Sequence, residues 1–304
     1  MPRVLACLLL ALLAPATCAD TLMVDHTPRT YQLQVPAHMP APLVLVLHGN
    51  TAQGKDIFER TSFPALAQRE GFALAAPDGL HRAWADFRDA GGHSGRRPPP
   101  GTDDVRFLTA LVETLVREGV ADPRHVYVVG ISNGGAMALS LACARPDLFA
   151  AAASVIMEMT RTLANACHPS RSIPLLFMNG TADPIIHFDG GSGQLFKSAT
   201  DYLSTDESLR FWRRIDGCEA ADAGSDALPD RDRKDDSAVT LIRSRCPMGS
   251  DVRLYRVDGG GHRMPDVVDD SRNPRLVSRL LGPQNHDIDG PQVLWDFLRP
   301  YARP

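Results

Sequence analysis

The chain contains 304 residues, carries a formal net charge of −4 and has six cysteines. A mild negative charge with scattered basic residues argues against a nucleic-acid-binding protein and against a protein held on an anionic membrane surface. The length suits a short targeting segment followed by one large α/β domain.

Residues 1–19 have the pattern of a secretory signal peptide. One positive charge precedes an apolar run, Val4 to Ala14, that is too short to span a membrane. The small residues that follow place the expected cleavage between Ala19 and Asp20. The predicted mature chain is therefore residues 20–304.

The predicted location is extracellular, although the same signal would also suit the periplasm. Cys18 raises the alternative of a lipoprotein, but the preceding Pro15-Ala16-Thr17 lacks the leucine-like residue of a lipid-attachment site. No second hydrophobic span follows the signal, so we expect no stable membrane insertion. The sequence does not predict an oligomeric state.

Short apolar runs alternate with helical patterns along the mature chain. Near-continuous apolar runs are typical of parallel strands covered on both faces, so the pattern predicts one doubly wound α/β domain. The predicted strands are Tyr31–Val35, an outer strand, and then Leu43–Leu47, Phe72–Ala76, Val126–Val129, Ala151–Ile156, Leu175–Met178 and Val252–Val257. The predicted helices are Phe58–Glu70, Asp104–Glu118, Ala136–Ala144, Ser204–Ile215 and Gln292–Leu298.

Three segments have the composition of long loops. Gly91–Thr102 is rich in glycine and proline, Glu219–Ser237 is charged, and Arg263–Gly290 is polar. Loops at the carboxyl edge of a parallel sheet commonly shape a ligand site. We expect Glu219–Ser237 to be a solvated surface insertion instead.

The first functional signal follows the strand Leu43–Leu47, where the chain continues as His48-Gly49-Asn50-Thr51. Gly49 allows the backbone to approach a substrate closely, so an amide of this loop can stabilise an oxyanion. Asn50 and Thr51 are both candidates, with Thr51 preferred. His48 is expected to support the loop or to border the substrate pocket.

The most informative motif is Gly130-Ile131-Ser132-Asn133-Gly134. An apolar strand precedes it and an alanine-rich helix follows it, which is the context of a nucleophile elbow. We therefore predict Ser132 as a nucleophile. The amide of Asn133, at a helix N-terminus, is the predicted first oxyanion donor.

A serine nucleophile needs a histidine base and a carboxylate that orients the base. In this fold the acid follows the serine along the chain. Asp183 lies just beyond the strand Leu175–Met178, in a turn with Gly180 and Pro184, and is the predicted acid. Asp189 and Asp258 are weaker alternatives.

His262 is the predicted base because it follows the strand Val252–Val257 and three glycines that allow a sharp turn. His168 and His286 also lie downstream of Ser132 but lack that context. His187, close to Asp183 in sequence, is predicted to be a loop or pocket residue instead.

Outside the signal segment there are four cysteines, Cys143, Cys167, Cys218 and Cys246. An even number in an exported chain predicts two disulfides, for which three pairings are possible. Neither a C-x-x-C spacing nor a His/Cys cluster is present, so we expect no metal site.

Six motifs in one order resemble a known family. They are His48-Gly49, Pro77 to Leu80 with Trp84, Asp103 to Phe107, Gly130 to Met137, Gly180 to Pro184 and Gly259 to His262. The chain resembles the polyhydroxybutyrate depolymerases, feruloyl esterases and acetylxylan esterases related to carbohydrate esterase family 1. The resemblance implies an α/β-hydrolase fold, a secreted cofactor-free enzyme and a triad of Ser132, Asp183 and His262. It also implies disulfides Cys218–Cys246 and Cys143–Cys167.

The chain departs from the family pattern at the base. The family commonly has tryptophan two residues after this histidine, where this chain has Met264. The change is expected to alter a pocket wall and leave the chemistry intact. We also see no polymer-binding segment, so weak attack on crystalline polymer is expected.

The predicted reaction is two-step acyl transfer at an ester, with feruloyl or acetyl esters of plant polysaccharide preferred as substrates. Short polyhydroxybutyrate-like oligomers are the alternative. A non-catalytic binding protein on a hydrolase scaffold is disfavoured, because all three triad positions are filled. Trp84 and Phe87 are candidates for stacking on a sugar or feruloyl ring, and His48, His187 and Met264 complete the predicted pocket.

Overall fold

A computed structural model describes residues 18–86, 97–192, 200–219, 222–266 and 274–303. Ten of its strands form one sheet. They are β1 (Cys18–Val24), β2 (Thr27–Gln34), β3 (Ala41–Leu47), β4 (Ala73–Pro77), β5 (Ala121–Ile131), β6 (Ala151–Val155), β7 (Leu175–Gly180), β10 (Asp222–Ala227), β11 (Ala238–Ser244) and β12 (Val252–Asp258). The two-residue strands β8 (Gly191–Ser192) and β9 (Asp201–Tyr202) pair separately.

The sheet has a parallel centre with antiparallel edges. Its order is β1-β2-β4-β3-β5-β6-β7-β12-β11-β10. Strands β4, β3, β5, β6, β7 and β12 run parallel, whereas β1 and β2 at one side and β11 and β10 at the other pair antiparallel. The carboxyl ends of the parallel strands therefore share one edge of the sheet.

Eight α-helices are described. They are α1 (Gly54–Arg60), α2 (Phe63–Glu70), α3 (Asp104–Arg117), α4 (Asn133–Ala144), α5 (Arg161–Ala166), α6 (Thr205–Ile215), α7 (Pro274–Leu281) and α8 (Gly290–Leu298). No helix in the described ranges is long and apolar enough to cross a membrane.

The helices cover both faces of the sheet and create two cores. Alternate residues of β3 divide between them, with Leu43 and Leu45 in one core and Val44 and Val46 in the other. Side chains of α3, α4 and α6 belong to the first core, and those of α2 and α8 to the second. This double coverage explains why the central strands are near-continuous apolar runs.

The predicted central strands all occur, but four expectations need correction. The strand predicted at Tyr31–Val35 is β2, and it is not the outermost strand because β1 pairs on its free side. The predicted helix Phe58–Glu70 is two helices, α1 and α2. Thr61 and Ser62 separate them, and Pro64 in the first turn of α2 has no N–H with which to continue a helix.

The other two corrections concern predicted loops. Glu219–Ser237 contains β10, an exposed edge strand held by backbone pairing to β11 and without an apolar pattern. Arg263–Gly290 contains α7. The first half of the glycine-rich segment predicted as a loop at Gly91–Thr102, together with Phe87 and nearly all of the predicted signal peptide, lies outside the described residues.

Both disulfides implied by the family resemblance are present. Cys143 at the end of α4 bonds Cys167 just after α5, and Cys218 after α6 bonds Cys246 after β11. Each bond therefore ties a helix to a segment between 24 and 28 residues away in the chain. Such cross-links restrict the unfolded chain and stabilise the fold.

Candidate active site

Ser132 occupies a sharp turn between β5 and α4. Its backbone has φ 55° and ψ −118°, a strained region for a residue with a side chain. The turn closes because Gly130 and Gly134 have no side chains. A Cβ on Gly130 would lie 1.9 Å from the Gly134 carbonyl oxygen, and one on Gly134 would lie 2.2 Å from the Leu47 carbonyl oxygen.

Asp183 follows β7 at the same edge of the sheet and is almost completely buried. Its Oδ1 accepts hydrogen bonds from the backbone amides of Ile185 at 2.7 Å and Ile186 at 2.9 Å. These bonds fix the carboxylate and direct Oδ2 towards His262. Burial without such partners would strongly disfavour a charged carboxylate.

His262 follows β12 through the three-glycine hinge that the sequence predicts. Gly259 has a positive φ of 77°, which an L-residue rarely adopts. The His262 amide donates to the Leu281 carbonyl at 2.5 Å, and the Gly261 amide donates to the Pro283 carbonyl at 2.8 Å. The end of α7 therefore holds the histidine in place.

The three side chains form one continuous hydrogen-bonded chain. His262 Nδ1 donates to Asp183 Oδ2 at 2.6 Å, and Ser132 Oγ donates to His262 Nε2 at 2.8 Å. Because the carboxylate only accepts, the proton of the neutral ring lies on Nδ1 and Nε2 is left to accept from serine. This arrangement can remove the serine proton and stabilise the resulting imidazolium.

The loop after β3 passes beside Ser132. A Cβ on Gly49 would lie 3.5 Å from the Ser132 Cβ. The prediction that Thr51 supplies the oxyanion amide is wrong, because that amide already donates to the Arg82 carbonyl at 2.9 Å. Asn50 is the other candidate from this loop. On the other side, Asn133 begins α4, where backbone N–H groups lack helical partners.

His48 supports this loop. Its residue is fully buried, and its Nε2 accepts from the Gly79 amide at 3.0 Å. Nδ1 therefore carries the proton and donates to the Gly49 carbonyl at 2.7 Å. Burial is the main cause that lowers the pKa of His48, which keeps the ring neutral. His48 borders the cleft, but both of its nitrogens are occupied within the protein.

The serine opens into a cleft of about 490 Å³. Five isoleucines give the cleft much of its apolar lining: Ile57, Ile131, Ile156, Ile185 and Ile186. The charged side chains of Asp56, Arg60 and Arg82 also line it. The lining also includes Asn50, Thr51, Ser132, Tyr202, His262 and Leu281. This volume suits a small-molecule acyl or alcohol group.

Three predicted pocket residues do not line this cleft. Trp84 is 2% exposed, and its indole Nε1 donates to the His48 carbonyl at 2.8 Å, so it packs beneath the loop and presents no face for stacking. Met264 is buried in the core beneath α8. His187 is half-buried in the turn after Asp183 and is not among the residues that line the cleft. The expectation that Met264 alters a wall of the substrate pocket is therefore wrong, because its side chain packs in the core.

Several lining residues were not predicted from the sequence. Ile185 and Ile186 enter the cleft because their amides bond Asp183, and Leu281 enters because α7 ends against His262. Arg82 projects from a turn in which both His81 and Arg82 have positive φ values. Gly79 indicates a turn in the sequence, but no sequence pattern predicts the positive φ values of His81 and Arg82.

A second carboxyl group, Glu158, lies buried behind the triad acid. Thr205 Oγ1 donates to Glu158 Oε1 at 2.8 Å, and Oε2 has no hydrogen-bond partner in the described structure. Burial and the negative charge of Asp183 raise the pKa of Glu158 well above its ordinary value. The raised pKa favours the neutral form of Glu158, which avoids repulsion between two carboxylates at this position.

This burial predicts a pH-dependent contribution to stability. Between the ordinary glutamate pKa and the raised native value, the folded state binds one more proton, so stability falls as pH rises through that window. Glu158→Gln removes this titration. Relative to wild type, its free energy of unfolding is expected to be higher at pH 8 than at pH 4.5 by about 1–3 kcal/mol.

Urea unfolding at the two pH values tests this expectation. Glu59→Gln makes the same chemical change on the exposed surface of α1 and is the matched control. It should show the same difference from wild type at both pH values. A Glu158→Gln variant that behaves like this control would contradict a protonated Glu158.

Comparison with known proteins places the chain among esterases. A model of the prolyl oligopeptidase family matches residues 70–166, which include the elbow. A protein named "Putative esterase NocK" from Nocardia uniformis subsp. tsuyamanensis is 32% identical over 269 residues, covering 82% of this chain and 74% of NocK. Feruloyl esterase B of Piromyces equi is 25% identical over 167 residues, and this match covers 54% of the chain but 30% of that relative.

Solved structures give the same fold. An acetyl xylan esterase from Aspergillus awamori superimposes with a TM-score of 0.54 at 14% sequence identity, covering 79% of this chain and 92% of that protein.

Within the described ranges, no group of three or more histidine, cysteine, aspartate or glutamate side chains is placed to hold a metal ion. The fold, the elbow and these relatives define a serine hydrolase that acts on carboxylic ester bonds.

Within that class, the sequence identity between this chain and NocK, and the share of both chains that the match covers, establish the family. The chain belongs to the α/β-hydrolase esterases that include feruloyl esterases and polyhydroxybutyrate depolymerases.

Proposed function

We propose that Ser132, His262 and Asp183 carry out ester hydrolysis in two steps. Ser132 Oγ attacks the ester carbonyl while His262 Nε2 accepts its proton, and the alcohol then leaves with that proton. Water attacks the acyl-serine in the same way and releases the acid. The supporting observation is the Ser132–His262–Asp183 hydrogen-bonded chain at a cleft of about 490 Å³.

The oxyanion is held between two loops. The Asn133 amide begins α4, whose dipole favours negative charge at its N-terminus. The loop after β3 contributes the second donor, and we assign it to the Asn50 amide because the Thr51 amide is engaged with Arg82. A buried backbone donor of this type contributes about 3–4 kcal/mol to lowering the barrier.

The preferred substrates are feruloyl or acetyl esters of plant polysaccharide. The apolar side chains of Ile131, Ile156, Ile185 and Ile186 suit a feruloyl or other apolar acyl group, and the polar and charged lining residues suit the sugar. Feruloyl esterase B among the relatives supports this assignment. The burial of Trp84 removes stacking on that ring as an argument for it.

The same isoleucine side chains favour a second candidate. Methyl groups of a short hydroxyalkanoate oligomer would also pack against them, and hydrolysis of such an oligoester needs the same chemistry. The deciding experiment compares release of ferulate from methyl ferulate, acetate from acetylated xylo-oligosaccharide, and hydroxybutyrate from soluble oligomers. We expect turnover of at least one of these three substrate classes. Turnover of none would contradict both substrate assignments.

We also infer that the enzyme acts outside the cytoplasm. The signal-like residues 1–19 and the two disulfides support export, because disulfides persist in oxidising compartments. The expected mature N-terminus is Asp20, which sequencing of protein recovered from culture medium or periplasm would test. Recovery of uncleaved protein in the cytoplasm alone would contradict export.

A further inference from the structure

Arg82 lines the cleft that contains Ser132 but has no counter-charge in the described structure. Its residue is half-buried, its Nε is buried without a hydrogen-bond partner, and no described carboxylate forms an ion pair with it. Arg29 and Arg253 also have a buried Nε without a partner, but each of them forms an ion pair. Arg29 pairs with Asp104 at 2.6 Å, and Arg253 pairs with Asp251 at 2.5 Å.

The backbone of Arg82 is fixed relative to the reacting centre. Its carbonyl accepts from the Thr51 amide at 2.9 Å, and its own amide donates to the Gly79 carbonyl at 3.0 Å. Gly79 in turn is bonded to His48. The turn that bears the guanidinium is thus joined by hydrogen bonds to the loop beside Ser132.

The remaining charges near this end of the cleft do not neutralise Arg82. Asp56 Oδ2 accepts from the Gln53 amide at 2.8 Å, and Asp56 Oδ1 lies 3.4 Å from Arg60 Nε. Asp56 is therefore engaged within α1, and Arg60 adds a second, exposed guanidinium to the same lining. The lining of the cleft therefore combines isoleucine side chains with two guanidinium groups.

We propose that Arg82 binds a carboxylate of the substrate, so that the cleft selects esters carrying an anionic group a few bonds from the scissile bond. A guanidinium presents paired donors that match a carboxylate, and the pair strengthens away from water. This inference rests on the proposed ester hydrolysis. Two sources share the required chemistry: the free acid end of a hydroxyalkanoate oligomer and a uronic acid on an acetylated polysaccharide.

The test uses two matched substrate pairs. The first is the 3-hydroxybutyrate trimer as free acid and as methyl ester. The second is acetylated xylo-oligosaccharide with and without a glucuronic acid branch. For at least one pair, wild-type kcat/KM is expected to be about tenfold higher for the anionic member. The pair that shows the preference identifies the source of the carboxylate.

The ratio of anionic to neutral kcat/KM is then measured in variants. Arg82→Gln is expected to lower it about tenfold, and Arg82→Lys to give an intermediate ratio because charge remains without the paired donors. Arg299→Gln, an exposed arginine of the α8 end bonded to Asp296, should keep the wild-type ratio. Raising salt should lower the wild-type ratio, because part of the contact is solvent-exposed.

The outcomes separate this inference from the proposed function. Turnover of neutral and anionic members at equal rates by wild type contradicts the carboxylate site and leaves ester hydrolysis standing. An unchanged ratio in folded Arg82→Gln contradicts the role of Arg82. Turnover of none of the four substrates contradicts the proposed substrates and this inference together.

Discussion

Replacing His262 with alanine is expected to lower kcat on p-nitrophenyl acetate by about 10⁴-fold or more. The structure provides the reason, because His262 Nε2 is the acceptor of the Ser132 hydroxyl at 2.8 Å and Nδ1 is fixed by Asp183. Without the ring, the hydroxyl has no base. The residual rate reports only binding and oxyanion stabilisation.

The matched control is His187→Ala. His187 lies in the turn after Asp183 but outside the hydrogen-bonded chain and the cleft lining. Its kcat should stay within about threefold of wild type, as expected for a residue away from the reacting groups. A His262→Ala enzyme retaining a tenth of the wild-type kcat would contradict the role of His262 as base.

The second large effect concerns the elbow itself. Gly134→Ala places a Cβ 2.2 Å from the Leu47 carbonyl oxygen and 2.7 Å from the His48 carbonyl oxygen. Both contacts are with backbone, so a side-chain rotation cannot relieve them. Either β3 and α4 move apart or the turn opens, and we expect a loss of about 3–5 kcal/mol in the free energy of unfolding.

Gly224→Ala is the control for this substitution. Gly224 lies in the exposed strand β10, and a Cβ there meets nothing within 4 Å. Urea unfolding should show a change of less than about 1 kcal/mol for this variant. If Gly134→Ala unfolds at the wild-type urea concentration, the close packing of β3 against α4 at the elbow is wrong.

The central fold was predictable because its strands are buried on both faces. The sequences of β3, β5 and β7 are short apolar runs flanked by turn residues, a pattern that predicts buried parallel strands. The edge of the sheet was not predictable in the same way. Strand β10 has the sequence Asp-Ala-Gly-Ser-Asp-Ala and is held by backbone pairing to β11 and by an ion pair between Asp226 and Arg243, so it leaves no pattern in hydrophobicity.

The site was predictable where residues follow strand ends. Ser132, Asp183 and His262 lie within four residues of the ends of β5, β7 and β12, and parallel strands bring such ends together. Residues whose position depends on tertiary contacts were not predictable. The sequence allows the Thr51 amide as an oxyanion donor, but in the folded chain this amide donates to the Arg82 carbonyl.

Trp84 is a second residue whose role could not be predicted from the sequence. An aromatic residue in a loop near the sheet edge suggests a stacking surface, yet its indole is directed inward to the His48 carbonyl. Only the packed structure distinguishes these two roles. Arg82, two residues earlier, reaches the cleft instead.

The most direct test of the account is covalent labelling of the intact enzyme with a fluorophosphonate, followed by peptide mass spectrometry. Such probes report a serine activated by a neighbouring base. We expect one adduct, on the peptide that contains Ser132, and none in Ser132→Ala. Ser140 is a buried serine of α4, and the Ser140→Ala variant should still be labelled at Ser132. An adduct on another residue, or ester hydrolysis at the wild-type rate by Ser132→Ala, would contradict the role of Ser132 as nucleophile.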